Sequence, residues 1–89
     1  MRTPVTTSKF EKDLKRMQKR GKDVTKIKTI MERLAAEEIL ESRFKDHLLI
    51  GNYKGRRECH IEPDWLLIYK LDNDEIRFER TGTHSDLFE

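Results

Sequence analysis

From Ser8 onward the chain spaces its apolar residues as a helix would: Phe10, Leu14 and Met17 recur three to four positions apart until Gly21 interrupts the run. This places one apolar stripe on an otherwise charged cylinder. Ser8-Lys9-Phe10-Glu11 has the form of a capping box, and Gly21 suits the left-handed residue that closes a helix, so the pattern predicts helix one over about 8–20. Val24, Ile27, Ile30, Met31 and Leu34 resume the same period and lead into Ala35-Ala36, predicting helix two over about 23–37. The link between them is short enough to allow only a helical hairpin, whose combined apolar face must cover another layer.

That layer begins where the period falls to two. Arg56, Glu58 and His60 share one side of a predicted strand, and Arg57, Cys59 and Ile61 the other, until Pro63 interrupts it. Trp65-Leu66-Leu67-Ile68-Tyr69 is apolar on both faces, as a central strand must be, and Asp72-Asn73-Asp74 supplies a turn before Ile76 and Phe78. These segments make a three-stranded meander, to which Thr3–Thr6 and Leu48-Leu49-Ile50 each add a short strand. The expected fold is α+β, a single domain over residues 1–89 with an N-terminal helical hairpin packed on one face of a small, mainly antiparallel twisted β-sheet.

Charge changes this picture by its distribution, because the net balance is only +2. Residues 1–34 carry eleven Lys and Arg against four Asp and Glu, about +7 by 11 − 4, while the remainder comes to 8 − 13, about −5. A polyanion could be held by the basic half and worked on by the other, or the lysines could simply be solvated. Cys59 is the one cysteine, so there is neither an internal disulfide nor a metal-ligating cysteine pair, which fits a reducing cytoplasm. The N-terminus has no apolar run of signal type, and no stretch is long enough to span a membrane.

The second half also collects all three histidines, His47, His60 and His84. Histidine exchanges protons near neutral pH with little tuning, its ordinary pKa being about 6.5. Strand parity keeps His60 out of the core, and Asp64, four residues on, is its expected carboxylate partner. The histidine spacings match no compact zinc pattern, so no metal or other cofactor is expected. Arg80 would suit a phosphate through its planar fork, although strict alternation aligns it with Ile76 and Phe78; Gly82 offers a bend that could free it. Trp65 and Phe88 are either packing residues or platforms for unpaired bases.

Taken together, His47-Leu48-Leu49-Ile50-Gly51, the stretch from Gly55 to Tyr69 with its H-x-x-P-D-W core, and Arg80-Thr81-Gly82-Thr83-His84-Ser85-Asp86-Leu87-Phe88 closely resemble the YafQ branch of RelE-type toxins. The resemblance implies the toxin of a bacterial type II toxin–antitoxin pair, an endoribonuclease that enters the ribosomal A site and cuts translated mRNA. It further implies catalytic contributions from His47, His60, Asp64, His84 and Phe88, with Trp65 and Arg80 at the site. Leu48 departs from the family, which usually has proline there. Implied partners are mRNA and rRNA on the ribosome and a DNA-binding, dimeric antitoxin; the free toxin is expected to be a monomer.

Chemistry asks for the same residue types. Metal-free RNA cleavage needs a base for the ribose 2′-OH, an acid for the departing 5′-oxygen and positive charge for the phosphorane-like transition state. His60 with Asp64, and His47, are assigned base and orienting duties, His84 the acid and Arg80 the phosphate. The RNA-facing set is Trp65 with Lys9, Lys12, Lys15, Lys19, Arg20, Lys22, Lys26, Lys28, Lys54 and Arg56. Two alternatives stay open: a ParE-like toxin of the same fold that poisons gyrase, and a non-catalytic RNA- or ribosome-binding module.

Overall fold

The computed structural model describes residues 1–88. Strand β1 (Thr3–Thr6) leads into helix α1 (Ser8–Lys19) and helix α2 (Val24–Ala35). A long connection containing 3-10 turns at Ser42–Phe44 and Gly51–Tyr53 then brackets the two-residue strand β2 (His47–Leu48). Strands β3 (Arg57–Glu62), β4 (Trp65–Leu71) and β5 (Glu75–Gly82) follow, and a five-residue helix α3 (His84–Phe88) closes the described chain. The sheet order is β1-β5-β4-β3-β2, antiparallel except for the parallel pair β1–β5.

Helix boundaries follow the sequence closely but not the predicted cap. Thr7, not Ser8, is the N-cap of α1: its hydroxyl accepts the Phe10 amide at 3.0 Å. At the other end Gly21 has φ +89°, and the Gly21 and Lys22 amides return to the Gln18 and Met17 carbonyls, which satisfies the last turn. Helix α2 starts from Asp23, which accepts the Thr25 amide at 3.0 Å, and ends two residues earlier than predicted.

The hairpin buries Phe10, Met17, Ile27, Ile30 and Leu34 against the sheet face formed by Cys59, Ile61, Trp65, Leu67, Tyr69, Ile76 and Phe78. The opposite face is covered only by a smaller layer, in which Leu66, Ile68 and Leu87 pack with Leu49 and Tyr53. One face therefore supplies the core, and the other presents side chains above a thin apolar floor. The strand expected at Leu48–Ile50 falls instead at His47–Leu48, leaving Leu48 and Ile50 exposed.

The bend foreseen at Gly82 lies elsewhere. Between Ile68↔Arg80 and Tyr69↔Phe78 the register shifts, so the extra residue is Glu79. Gly82 instead makes room for α3, since a Cβ added there would stand 3.0 Å from the Asp86 side chain. Trp65 is fully buried, and its indole N–H donates to the Thr81 hydroxyl at 2.9 Å. It cannot stack on RNA, because both ring faces are enclosed by the core, and it serves instead as internal support.

Candidate active site

Register alone assembles most of the site. His47 pairs with Glu58, Glu58 with Ile68, and Ile68 with Arg80, forming one row across four strands. At about 4.8 Å per strand, that row spans about 14 Å. The next row on the same face runs His60, Leu66, Gly82, after which the chain enters α3 and presents His84. Leu66 and Ile68 thus form the floor, with ionisable groups along its rim.

His47 is oriented by its own loop. Its Nδ1 lies 2.6 Å from the Lys45 carbonyl, which can only accept, so Nδ1 carries the hydrogen. Nε2 stands 3.3 Å from Glu58 Oε2, a contact that is an ion pair only when the ring is doubly protonated. Asp46 anchors the preceding residue, accepting from Tyr69 Oη at 2.6 Å and Arg57 Nε at 3.3 Å. His60 Nε2 lies 3.6 Å from the same Glu58 carboxylate, and that carboxylate is nearly buried. Glu58 therefore bridges two histidines, a role the sequence does not announce although parity places it beside His60.

The partner of Asp64 also differs from the expectation. Pro63 and Asp64 make a two-residue turn between β3 and β4, and from it Asp64 bonds with His84, just past the end of β5, and not with His60. There Asp64 Oδ1 accepts both the His84 Nδ1 hydrogen at 2.7 Å and the His84 amide at 2.9 Å. These two bonds hold the Asp64 carboxyl below its usual range. They also fix His84 as the tautomer with Nε2 free. The His60 and His84 rings meet edge-on at 5.8 Å, so the two stay neighbours without sharing a carboxylate.

Arg80 reaches the rim because of the Glu79 bulge, and it is held by an acid that in sequence registers only as charge. Asp13 is buried and accepts from Arg80 Nε at 2.6 Å, Arg80 Nη2 at 3.1 Å, Arg16 Nη2 at 2.9 Å and the Thr81 amide at 3.2 Å. One edge of the guanidinium is thereby occupied, and its end-on edge remains for an anion. The signal is present in the sequence: Asp13 sits between Phe10 and Met17 on the buried stripe of α1, where an unpartnered carboxylate would be costly.

Helix α3 is set by a reciprocal cap. The Thr83 hydroxyl accepts the Asp86 amide at 3.2 Å, and Asp86 Oδ2 accepts the Thr83 amide at 3.0 Å. Asp86 also takes Arg20 Nη1 at 2.7 Å and Nη2 at 3.1 Å, which ties α3 to the end of α1. Arg20 first, then the Thr83 amide and Arg16, hold the Asp86 carboxyl well below the usual carboxylate range. A depressed folded pKa contributes stability that is complete above the ordinary value of 3.8 and is lost as pH falls through the folded value. Helix α3 is therefore expected to loosen in acid, read from the His84 and Phe88 amide resonances between about pH 5 and 2. An Asp86→Asn variant should lose most of that acid-dependent step at Phe88, keeping at His84 the part carried by Asp64.

Phe88 is 46% exposed, 6.3 Å from the His84 ring and 5.4 Å edge-on from Tyr53. Tyr53, a further residue without a sequence signal, donates to the Leu87 carbonyl at 3.2 Å and lies beside Arg80. Among the expected RNA-facing cations, Lys9, Lys12, Lys15, Lys19, Lys28 and Lys54 are exposed and have no acidic partner among the described residues. Arg20 is bound to Asp86, Lys22 and Lys26 to Glu62, and Arg56 to Glu79, so the charge of these four is largely answered within the chain. Burial pushes the Cys59 thiol up, away from any nucleophilic role.

The family profile described as "Bacterial toxin of type II toxin-antitoxin system, YafQ" matches residues 2–89. The chain belongs to the YafQ toxin family. The mRNA interferase toxin YafQ of Escherichia coli K12 is 49% identical over 83 residues, covering 92% of this chain and 90% of that protein. Superposition on YafQ in the E. coli DinJ–YafQ complex gives a TM-score of 0.92 at 47% identity, with both chains fully covered. A metal-bound toxin from Helicobacter pylori superposes with a TM-score of 0.92 at 41% identity, covering 99% of this chain and all of that one. The YafQ-like α+β fold expected from the sequence is thus the fold observed. Among the described residues, no group of three or more His, Cys, Asp and Glu is arranged to hold a metal ion, and no helix is long and apolar enough to cross a membrane.

Proposed function

We propose that this chain is the toxin of a type II toxin–antitoxin pair and an mRNA interferase that cuts translated mRNA in the ribosomal A site without metal. The observation that carries this reading is the gathering of three histidines on one sheet face, one oriented by Asp64 and two bridged by Glu58, in register with Arg80. In this scheme His60 takes the ribose 2′-OH proton, with Glu58 supporting the charge it acquires. His84, when protonated on both ring nitrogens, delivers its Nε2 proton to the departing 5′-oxygen, with Asp64 holding the ring and stabilising its charge, and Arg80 offers its free edge to the phosphate. His47 orients Glu58 and adds positive charge when protonated. The products are a 2′,3′-cyclic phosphate, or the 3′-phosphate from its hydrolysis, and a 5′-hydroxyl.

Phe88 supplies an exposed ring on which a codon base can stack. The unpartnered lysines of α1, with Lys28 and Lys54, meet rRNA phosphates, a salt-sensitive contact that lets the ribosome provide the orientation so open a site lacks. The partner that silences the toxin is an antitoxin, as DinJ is found with YafQ in the E. coli complex; here it is taken to be a DNA-binding dimer, the free toxin a monomer and the compartment the cytoplasm. A ParE-like gyrase poison would have no use for the histidine set. Toxin stripped with EDTA, freed of the chelator and then added to programmed ribosomes in their magnesium buffer decides the matter, and the metal-bound relative makes that stripping the informative condition. Cuts confined to the A-site codon are expected. Activity lost on chelation refutes the metal-free mechanism, and intact mRNA with inhibited gyrase refutes the nuclease.

A further inference from the structure

On the helical side of the sheet lies a groove of about 680 Å³ that the catalytic scheme leaves unused. It runs along α2 from Thr25 to Arg33, a length of about 12 Å at helical rise, with Ile30 and Ile61 as its floor. Its outer wall is Arg43-Phe44-Lys45, and one end opens at His60 and Pro63. That opening exists because β2 pairs only with Arg57 and Glu58, so β3 from Cys59 to Glu62 has no strand on its outer side. The groove and the histidines occupy opposite faces and meet at this free edge.

The lining suits an anion that carries a flat ring. Lys26 is answered by Glu62, and Arg33 by Glu38 and Glu41, but Arg43 and Lys45 are exposed and have no acidic partner among the described residues. Arg43 lies 4.7 Å over the Phe44 ring centroid and is exposed, so its guanidinium plane is within reach of a ligand in the groove. A base can stack on such a plane while the adjoining phosphate meets Lys45, and the volume falls within the range of small-ligand sites. Thr25 and Thr29 add hydroxyls along the opposite wall.

We propose that this groove is a second RNA subsite, taking a nucleotide of the mRNA next to the cut as the strand passes over the free edge of β3 beside His60. The subsite rests on the nuclease reading above and deepens it: it would set preference at a position flanking the cut, through stacking on Arg43 and phosphate contact at Lys45.

The test compares three proteins on programmed ribosomes: the native chain, the double variant Arg43→Glu/Lys45→Glu, and Thr29→Trp, which fills the groove without altering its charge. All three changed side chains lie on the surface, and thermal melting confirms folding. Both variants are expected to lose about tenfold or more in kcat/KM. They should also show a changed preference at one flanking nucleotide. A loss in the double variant alone would assign Arg43 and Lys45 to rRNA and overturn the subsite. Unchanged cleavage with weakened antitoxin binding would make the groove a protein site and overturn it equally. Failure of the native chain to cut would instead remove the nuclease reading beneath it, so the two failures are distinguishable.

Discussion

Replacing His84 by alanine is expected to lower mRNA cleavage by about two to four orders of magnitude, the usual worth of a positioned acid or base. The fold should not suffer, because the side chain is more than half exposed and its contacts are with Asp64, itself on the surface. His60→Ala should behave alike in cleavage. Asp64 provides the finer test. Asp64→Asn keeps an oxygen to accept the His84 amide and ring hydrogen, so the tautomer survives while the charge that stabilises the protonated ring is lost. Asp64→Ala loses both. Single-turnover cleavage on programmed ribosomes should therefore rank native above Asp64→Asn above Asp64→Ala. Equal rates in all three would show that Asp64 neither orients nor stabilises the His84 ring.

The second large effect is at Asp13, which touches no substrate. Asp13→Ala would leave the Arg80 guanidinium, Arg16 and the Thr81 amide without their shared acceptor. Breaking such a buried cluster costs about 2–4 kcal/mol, toward the lower end because Arg80 retains some contact with water. In a domain of this size that corresponds to a melting temperature lower by about 10–25 °C. Asp13→Asn should recover part of the stability, but its neutral side chain holds Arg80 less firmly. Cleavage by Asp13→Asn at a temperature where it is fully folded reports the aim of Arg80 separately from the fold. A native cleavage rate there would show that Arg80 does not depend on this clamp.

How much of the structure is legible in the sequence depends on range. Both helices are readable because stripe, caps and Gly21 are local, and even the error of one residue at the first cap comes from two adjacent hydroxyls, Thr7 and Ser8, each of a type suited to cap the first turn. The meander is readable because β3, β4 and β5 are consecutive. The pairing of His60 with Asp64 misleads because nearness in sequence reverses at a two-residue turn, and a side chain just past the turn faces the strand beyond. Arg80 falls on the wrong face by a rule that one bulge at Glu79 breaks, and nothing in Phe78-Glu79-Arg80 announces a bulge. Asp13 can be found by asking why a carboxylate interrupts an apolar stripe, whereas Tyr53 cannot, since its role arises from α3, more than thirty residues away.

The parallel pairing of β1 with β5 has a consequence for the order in which the protein can assemble. Thr3–Thr6 must wait for Glu75–Phe78, and α1 cannot clamp Arg80, nor Arg20 dock α3, until those late segments exist. Hairpin and helix formation can proceed during synthesis, but contacts of such long sequence separation close last. A nascent chain therefore carries its basic helices into solution well before it has a working rim of histidines. For an mRNA interferase, such wiring delays activity until synthesis is nearly over, and gives an antitoxin time to meet a still harmless molecule.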